Sequence, residues 1–210
     1  MKLIKSLEQL LYELMVWVVF YPRTMVLAVL HPMKLMEYAT QELDDEDSER
    51  YSDTLSPPIF LAISLALVHF VELAGGLGIA EGTFADDRNL LAFRLVVFSL
   101  FPLMLAIRAL RAQGLALDRN LLQAPFYAQC FVAAPFAFGI DEAIVLGLTG
   151  HVGWSLVVLA VTLVWYTAVQ TLWFRRELGT GLPRSLAYTL WAFFNAAVCM
   201  FALTVAVSRL

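Results

Sequence analysis

Five apolar segments, each long enough to cross a lipid bilayer, constrain the fold of this chain more than any other feature. A bilayer core of about 30 Å needs roughly 20 residues of helix, because an α-helix rises about 1.5 Å per residue. With 60% hydrophobic residues among 210, the chain is also too apolar for a soluble domain of its size. We therefore predict an all-α, polytopic membrane protein with five transmembrane helices. The predicted spans cover residues 58–79, 89–107, 123–140, 153–174 and 184–207.

The residues before these spans form a region of different character. Residues 1–56 are predicted to be a cytosolic, interfacial region, followed by a transmembrane domain over 57–210. Apolar side chains recur at helical spacing through the first 18 residues, with charged side chains opposite, a pattern typical of an amphipathic helix. Pro22 should end this helix, and Pro32 should end a second short apolar run. We expect both helices to lie on the membrane surface, in contact with lipids; a re-entrant hairpin through Pro22 is the alternative.

The distribution of basic residues predicts the orientation of the bundle. Lysine and arginine are frequent before the first span and after the second and fourth, whereas the two opposite loops contain few or none. Because cytosolic loops are enriched in positive charge, the amino terminus is expected in the cytosol and the carboxyl terminus outside.

Two ionisable residues near the middle of the first span are the main candidates for function. His69 and Glu72 lie on one helical face at a depth where an unpaired charge costs a few kcal/mol, so each needs a partner inside the bundle. Counting helical rise puts Glu72 about 12 Å and Arg94 about 8 Å below the outer surface, a gap that a long arginine can close. We predict an ion pair between them. The same count puts Thr162 and Asn195 level with His69, as its neutral hydrogen-bonding neighbours.

Small and polar residues also form stripes along the first, third, fourth and fifth spans, and these are expected to meet around a common axis. The predicted polar route is lined by His69, Glu72, Arg94, Thr162, Tyr166 and Asn195. A purely structural clasp that fixes the register of the helices is the alternative interpretation of the charged residues.

Several classes of function find no support in the sequence. The net charge of −4 and the lack of a basic patch argue against a nucleic-acid partner. His69 and Glu72 have metal-ligand spacing, but no second motif would complete a site. Asp141 and Glu142 are expected to solvate an outer loop. We predict no metal, no cofactor and no enzymatic activity, since nucleophile, phosphate-loop and zinc motifs are missing.

Short motifs connect the chain with a known family. Tyr21-Pro22-Arg23, His31-Pro32 and Ser56-Pro57-Pro58, the last leading directly into five closely spaced spans, resemble the Yip family of small five-span membrane proteins. The resemblance implies a role in membrane organisation or trafficking, with bacterial relatives described as permease-like. The long polar amino-terminal region of the eukaryotic branch is largely missing, which favours a bacterial inner membrane. No catalytic residues can be transferred from the family.

Two functions of different class are therefore predicted. In the first, the protein is a small channel or permease for an ion or small solute, as a single copy or as a homo-oligomer. In the second, it is a non-catalytic membrane scaffold or trafficking protein whose interfacial helices act on the cytosolic leaflet.

Overall fold

Residues 2–43, 51, 54–76 and 87–207 are described by a computed structural model of the chain. Over these residues the protein is built from helices without strands, which confirms the predicted all-α class. The helices in chain order are α1 (Lys2–Leu30), α2 (Pro32–Gln41), α3 (Pro57–Ala74), α4 (Asp87–Ala112), α5 (Arg119–Leu148), α6 (Val152–Leu178) and α7 (Leu182–Val207).

The five helices α3 to α7 are each long and apolar enough to cross a membrane, as the sequence predicted. All five differ in their bounds from the predicted spans; α4 continues to Ala112 rather than residue 107 and α6 to Leu178 rather than residue 174. The differences in α3 and α5 bear on the site. Helix α3 ends at Ala74 rather than at residue 79, because Gly75 caps it and Gly76 adopts a left-handed conformation (φ +66°); residues 77–79 lie outside the described part. Helix α5 runs to Leu148 rather than to residue 140, which brings Asp141 into the bundle instead of an outer loop.

The amino-terminal region departs from its prediction. Helix α1 does not end at Pro22 but continues through it to Leu30. The proline removes one backbone hydrogen bond from the helix. Its ring is exposed, so it does not disturb the packing of the core. The chain turns instead at His31, whose conformation is restricted by Pro32, the first residue of α2. The chain bends by 117° between Met15–Leu30 and Pro32–Gln41, and by length and composition the two segments together fit a broken sixth span or a re-entrant loop.

Helix α5 lies at the centre of the molecule. It packs against α1, α2, α3, α4 and α6, whereas α7 packs against α4 and α6. Its residues Ala128 to Ala134 are all buried, on every side of the helix, and three of these seven residues are alanines. The predicted common polar axis is therefore wrong: a helix, not a shared polar surface, occupies the middle of the bundle, because small residues on α5 let other helices approach it from several directions.

Four aromatic rings fill the space between α4, α5, α6 and α7. We call Phe101, Phe136, Tyr166 and Phe193 the aromatic layer. Phe136 stacks on Tyr166 with 4.0 Å between ring centroids, and it lies 5.3 Å from Phe101 and 6.0 Å from Phe193. Such tilted and stacked pairs each add about 0.5–1.5 kcal/mol beyond the burial of their surface. The rings close the bundle at the depth where the sequence predicted a polar route through Tyr166.

Candidate functional site

Helix α3 presents its two ionisable side chains to neighbouring helices rather than to lipid. Its buried residues recur at spacings of three and four from Phe60 to Glu72, which is one face of an α-helix, and this face packs on α5 and α4. His69 and Glu72 are 6% and 4% exposed. Both lie on that face because they continue the same helical stripe, so the inward orientation predicted for them is confirmed.

The predicted ion pair between Glu72 and Arg94 is present. Arg94 Nη2 on α4 donates to Glu72 Oε2 at 2.6 Å, and the two side chains are 12% and 5% exposed. At this separation a charge-assisted hydrogen bond is among the stronger contacts in a protein. Depth counting found the pair correctly because helical rise per residue varies little between membrane helices.

A third charged residue completes this group. Asp141 on α5 is 4% exposed and interacts electrostatically with both Arg94 and Glu72. We call Glu72, Arg94 and Asp141 the charged cluster; it joins the three helices α3, α4 and α5. Glu72 forms the ion pair with this guanidinium, and the Asp141 carboxylate adds a second negative charge to the group.

Each member of the site has a buried polar atom without a hydrogen-bond partner among the described residues. These atoms are His69 Nδ1, Glu72 Oε1, Arg94 Nη1 and Asp141 Oδ2. Buried polar side-chain atoms are paired in the large majority of cases, and an unpaired one costs about 1–3 kcal/mol. The cluster therefore has both the charge imbalance and the free donors and acceptors to bind a proton, water or a small ion.

Thr162 and Asn195 do not serve as the predicted neighbours of His69. Asn195 Nδ2 donates to the carbonyl of Trp191 at 2.6 Å, within its own helix. Thr162 lies against the backbone of Gly139 on α5, so close that a Cβ built on Gly139 would fall 2.3 Å from Thr162 Oγ1. Both predictions failed for one reason: α3 packs on α4 and α5, whereas α6 and α7, which carry these residues, pack elsewhere on the bundle.

A second buried polar group lies on the other side of the aromatic layer. Gln170 Nε2 on α6 donates to Gln129 Oε1 on α5 at 2.6 Å, and both residues are fully buried. We call Gln129 and Gln170 the glutamine pair. The Tyr166 hydroxyl, one helical turn from Gln170, is buried without a partner in the described structure. The predicted polar route contained neither glutamine. Gln129 gave no signal in the sequence because the residues around it are largely apolar.

The three groups form successive layers along α5. Counted from the carboxyl-terminal end of α5, Asp141 of the charged cluster comes first. Phe136 of the aromatic layer lies about 8 Å further along the helix axis, and Gln129 of the glutamine pair about 10 Å beyond Phe136. The charged cluster and the glutamine pair thus lie at depths on either side of the aromatic layer, with the charged cluster on the α3 side of α5 and the aromatic layer facing α6 and α7.

A metal centre is a poor match for these groups. Among the residues that the structure describes, no three His, Cys, Asp or Glu side chains are arranged to hold a metal ion.

Comparison with known proteins gives no relative from which a role could be transferred. No protein-family model matches the chain, and no curated protein or solved structure matches it. The resemblance to the Yip family stays a prediction.

Proposed function

We propose that this integral membrane protein is a small permease or channel in which the charged cluster and His69 bind a proton or a small ion during transport. The observation that carries the proposal is the set of unpaired, buried polar atoms on His69, Glu72, Arg94 and Asp141. A clasp that only fixed helix register would gain stability by pairing those atoms, whereas a site that takes up an ion has to leave them free.

The layers along α5 support a route across the membrane. The charged cluster on one side and the glutamine pair on the other offer polar partners for a permeant ion or water. At a depth between these two polar groups, the rings of Phe136 and Tyr166 stack with 4.0 Å between their centroids, and in the proposed function this conformation is the closed one. Opening would require these rings to part, and hydrophobic constrictions of this kind regulate conduction in channels.

The proposed function includes an orientation and a membrane for the protein. The basic loops favour a cytosolic amino terminus and an external carboxyl terminus, and the resemblance to permease-like bacterial proteins favours an inner membrane. The charged cluster would then lie in the outer half of the bilayer and the glutamine pair in the inner half. Fusions of a reporter that is active on one side of the membrane, made at each terminus, test this orientation.

Flux through purified protein in liposomes tests the transport function. The liposomes contain a pH-sensitive dye, a pH gradient is imposed, and valinomycin with potassium prevents a membrane potential from limiting proton movement. We expect wild-type protein to dissipate the gradient faster than empty liposomes, and Glu72→Gln to slow it at least tenfold, since removal of one carboxylate removes a proton-binding group. Parallel assays with sodium and potassium gradients identify a cation other than the proton.

The matched control is Glu142→Gln on the same helix as Asp141, because Glu142 is exposed. This variant removes an acid of the same charge without touching the charged cluster, and its flux should equal that of the wild type. If wild-type protein moves none of the three ions, or if Glu142→Gln and Glu72→Gln behave alike, the charged cluster is not a transport site.

A scaffold function is favoured by one separate observation on α1. Tyr12, Met15 and Val18 are 68%, 70% and 75% exposed, so this helix offers an apolar surface that the bundle does not cover. Insertion of such a surface into one leaflet is how amphipathic helices sense or bend membranes. Val18→Glu should then abolish any preference of the protein for small, highly curved liposomes, and an unchanged preference would contradict this function.

A further inference from the structure

Two arginines converge on one tyrosine ring between α4 and α7. The guanidinium carbon of Arg108 lies 4.1 Å from the centroid of the Tyr188 ring, and that of Arg184 lies 5.8 Å from the same centroid. Arg184 Nε also donates to the Tyr188 hydroxyl at 2.9 Å. We call Arg108, Arg184 and Tyr188 the arginine site. The ring fixes both side chains, since a guanidinium stacks well on an aromatic face.

The positive charge of this site is not neutralised by the protein. Neither Arg108 nor Arg184 pairs with a carboxylate in the described structure, in contrast to Arg94 and Arg176, which do. Arg108 Nε is in addition buried without a hydrogen-bond partner. Two guanidinium groups that approach the same ring repel each other, and a buried N–H donor without an acceptor is costly. An anion in contact with both guanidinium groups would offset the repulsion between their like charges.

The location of the site indicates what kind of anion it binds. Arg184 lies in the first turn of α7, where the helix dipole favours negative charge, and Arg108 lies near the last turn of α4. Both helices cross the membrane, so the site lies at their common end, where phosphate groups of lipids are concentrated. This is also the end whose loops are rich in arginine and which we predict to be cytosolic.

We propose that the arginine site binds the phosphate of an anionic phospholipid. Guanidinium groups match phosphate oxygens with two parallel hydrogen bonds, and basic pockets between membrane helices are suited to such headgroups. The acyl chains of the lipid lie along the apolar surface of α7 on the Tyr188 side, where Trp191 is exposed. This site does not depend on the proposed transport function, since it lies at the opposite end of the bundle from the charged cluster.

The experiment measures lipid binding to the full chain in detergent. Phosphatidylglycerol, phosphatidylcholine or inorganic phosphate is added in separate series; the melting temperature of the protein and the lipid retained in native mass spectrometry are recorded. We expect phosphatidylglycerol to raise the melting temperature and to remain bound. Phosphatidylcholine and inorganic phosphate should do neither at the same concentration, because the first has no net charge and the second has no acyl chain.

Arginine variants separate a defined site from general surface charge. Arg108→Gln and Arg184→Gln should each weaken phosphatidylglycerol binding by about tenfold or more, as expected for the loss of a charge-assisted hydrogen bond. Arg111→Gln is the matched control, because Arg111 is exposed one turn from Arg108 on the same helix. It should weaken binding by less than about twofold, the usual effect of one exposed charge.

Two results would overturn the proposed lipid site. Equal weakening in all three variants would show diffuse attraction of lipid to the basic end and would overturn the site. An equal effect of inorganic phosphate would show a site for a free anion and would overturn the assignment to lipid. Arg184 is exposed, so Arg184→Gln tests the site even if the half-buried Arg108 cannot be replaced without unfolding.

Discussion

Replacement of Arg94 by glutamine should destabilise the protein more than replacement of either acid beside it. Arg94 forms an ion pair with Glu72 and interacts electrostatically with Asp141, and both acids are 4% exposed. Arg94→Gln therefore leaves two acids close together in the interior without a positive partner. Removal of one partner from a buried ion pair costs about 3–5 kcal/mol, and we expect a value in that range.

Removal of one acid has a smaller effect, because the other acid remains to balance the arginine. For Glu72→Gln we expect a loss of about 1–3 kcal/mol, the cost of a hydrogen bond to a charged group, since Asp141 still interacts with Arg94. The triple variant Glu72→Gln, Arg94→Gln, Asp141→Asn removes every charge of the cluster. It should recover more than half of the stability lost in Arg94→Gln, because neutral amides can bond to one another.

Unfolding by sodium dodecyl sulfate in mixed micelles, followed by circular dichroism, measures these differences. The variants are compared at one detergent composition, and Glu142→Gln again serves as the control for loss of a charge outside the cluster. The interpretation of a three-residue cluster is refuted if Arg94→Gln and Glu72→Gln are equally destabilising, since that is the pattern of an isolated pair. A cost below about 1 kcal/mol for Arg94→Gln would mean that the charges are effectively solvated.

Three further predictions concern packing and the aromatic layer. Gly139→Ala should lower the stability by about 1–3 kcal/mol, because the new Cβ would fall within 3.1 Å of three atoms of the stiff Thr162 side chain. Adding Thr162→Ala should restore part of the lost stability. Gly153→Ala is the control: its Cβ meets no atom within 4 Å, so stability should change by less than about 1 kcal/mol. Phe136→Leu removes the ring stacked on Tyr166 and should raise ion flux several-fold in liposomes, whereas unchanged flux would take the aromatic layer out of the route. Pro22→Ala should stabilise the protein by about 1–3 kcal/mol in the same unfolding assay, because alanine restores the backbone hydrogen bond that proline removes from the middle of α1 and the exposed side chain makes no core contact to lose. A loss of stability would show that the proline sets a bend that the bundle needs.

The sequence predicted those features of the fold that are properties of one helix at a time. Five spans followed from segment length and hydropathy, and Glu72 was matched with Arg94 because helical rise converts sequence position into depth. Depth does not reveal which helices are neighbours, however. Thr162 and Asn195 were placed at the level of His69, but α6 and α7 do not form its surroundings. Lateral arrangement depends on side-chain packing across the whole bundle, which no single segment encodes.

Asp141 shows how an error in one helix boundary hides a buried charged residue. The predicted third span ended at residue 140, and this put Asp141 in a solvated loop; α5 continues to Leu148 and buries it beside Arg94. A signal was available in the sequence, since Ala134, Ala137 and Asp141 continue one helical stripe of small and polar residues. A carboxylate that continues the small-residue face of a span should be counted as part of that span.

The central position of α5 limits how a route could open. This helix contributes Asp141, Phe136 and Gln129 to the three layers, so its rotation would disturb all of them together. The partners of Phe136 in the aromatic layer, by contrast, come from α4, α6 and α7, and α7 packs on α4 and α6. Displacement of α7 would remove Phe193 from the layer while the charged cluster on α3, α4 and α5 and the glutamine pair on α5 and α6 keep their contacts. In the proposed function, such a displacement would loosen the aromatic layer on its α7 side and leave both polar layers assembled. The stack of Phe136 on Tyr166 joins α5 to α6, so its separation would be a second step.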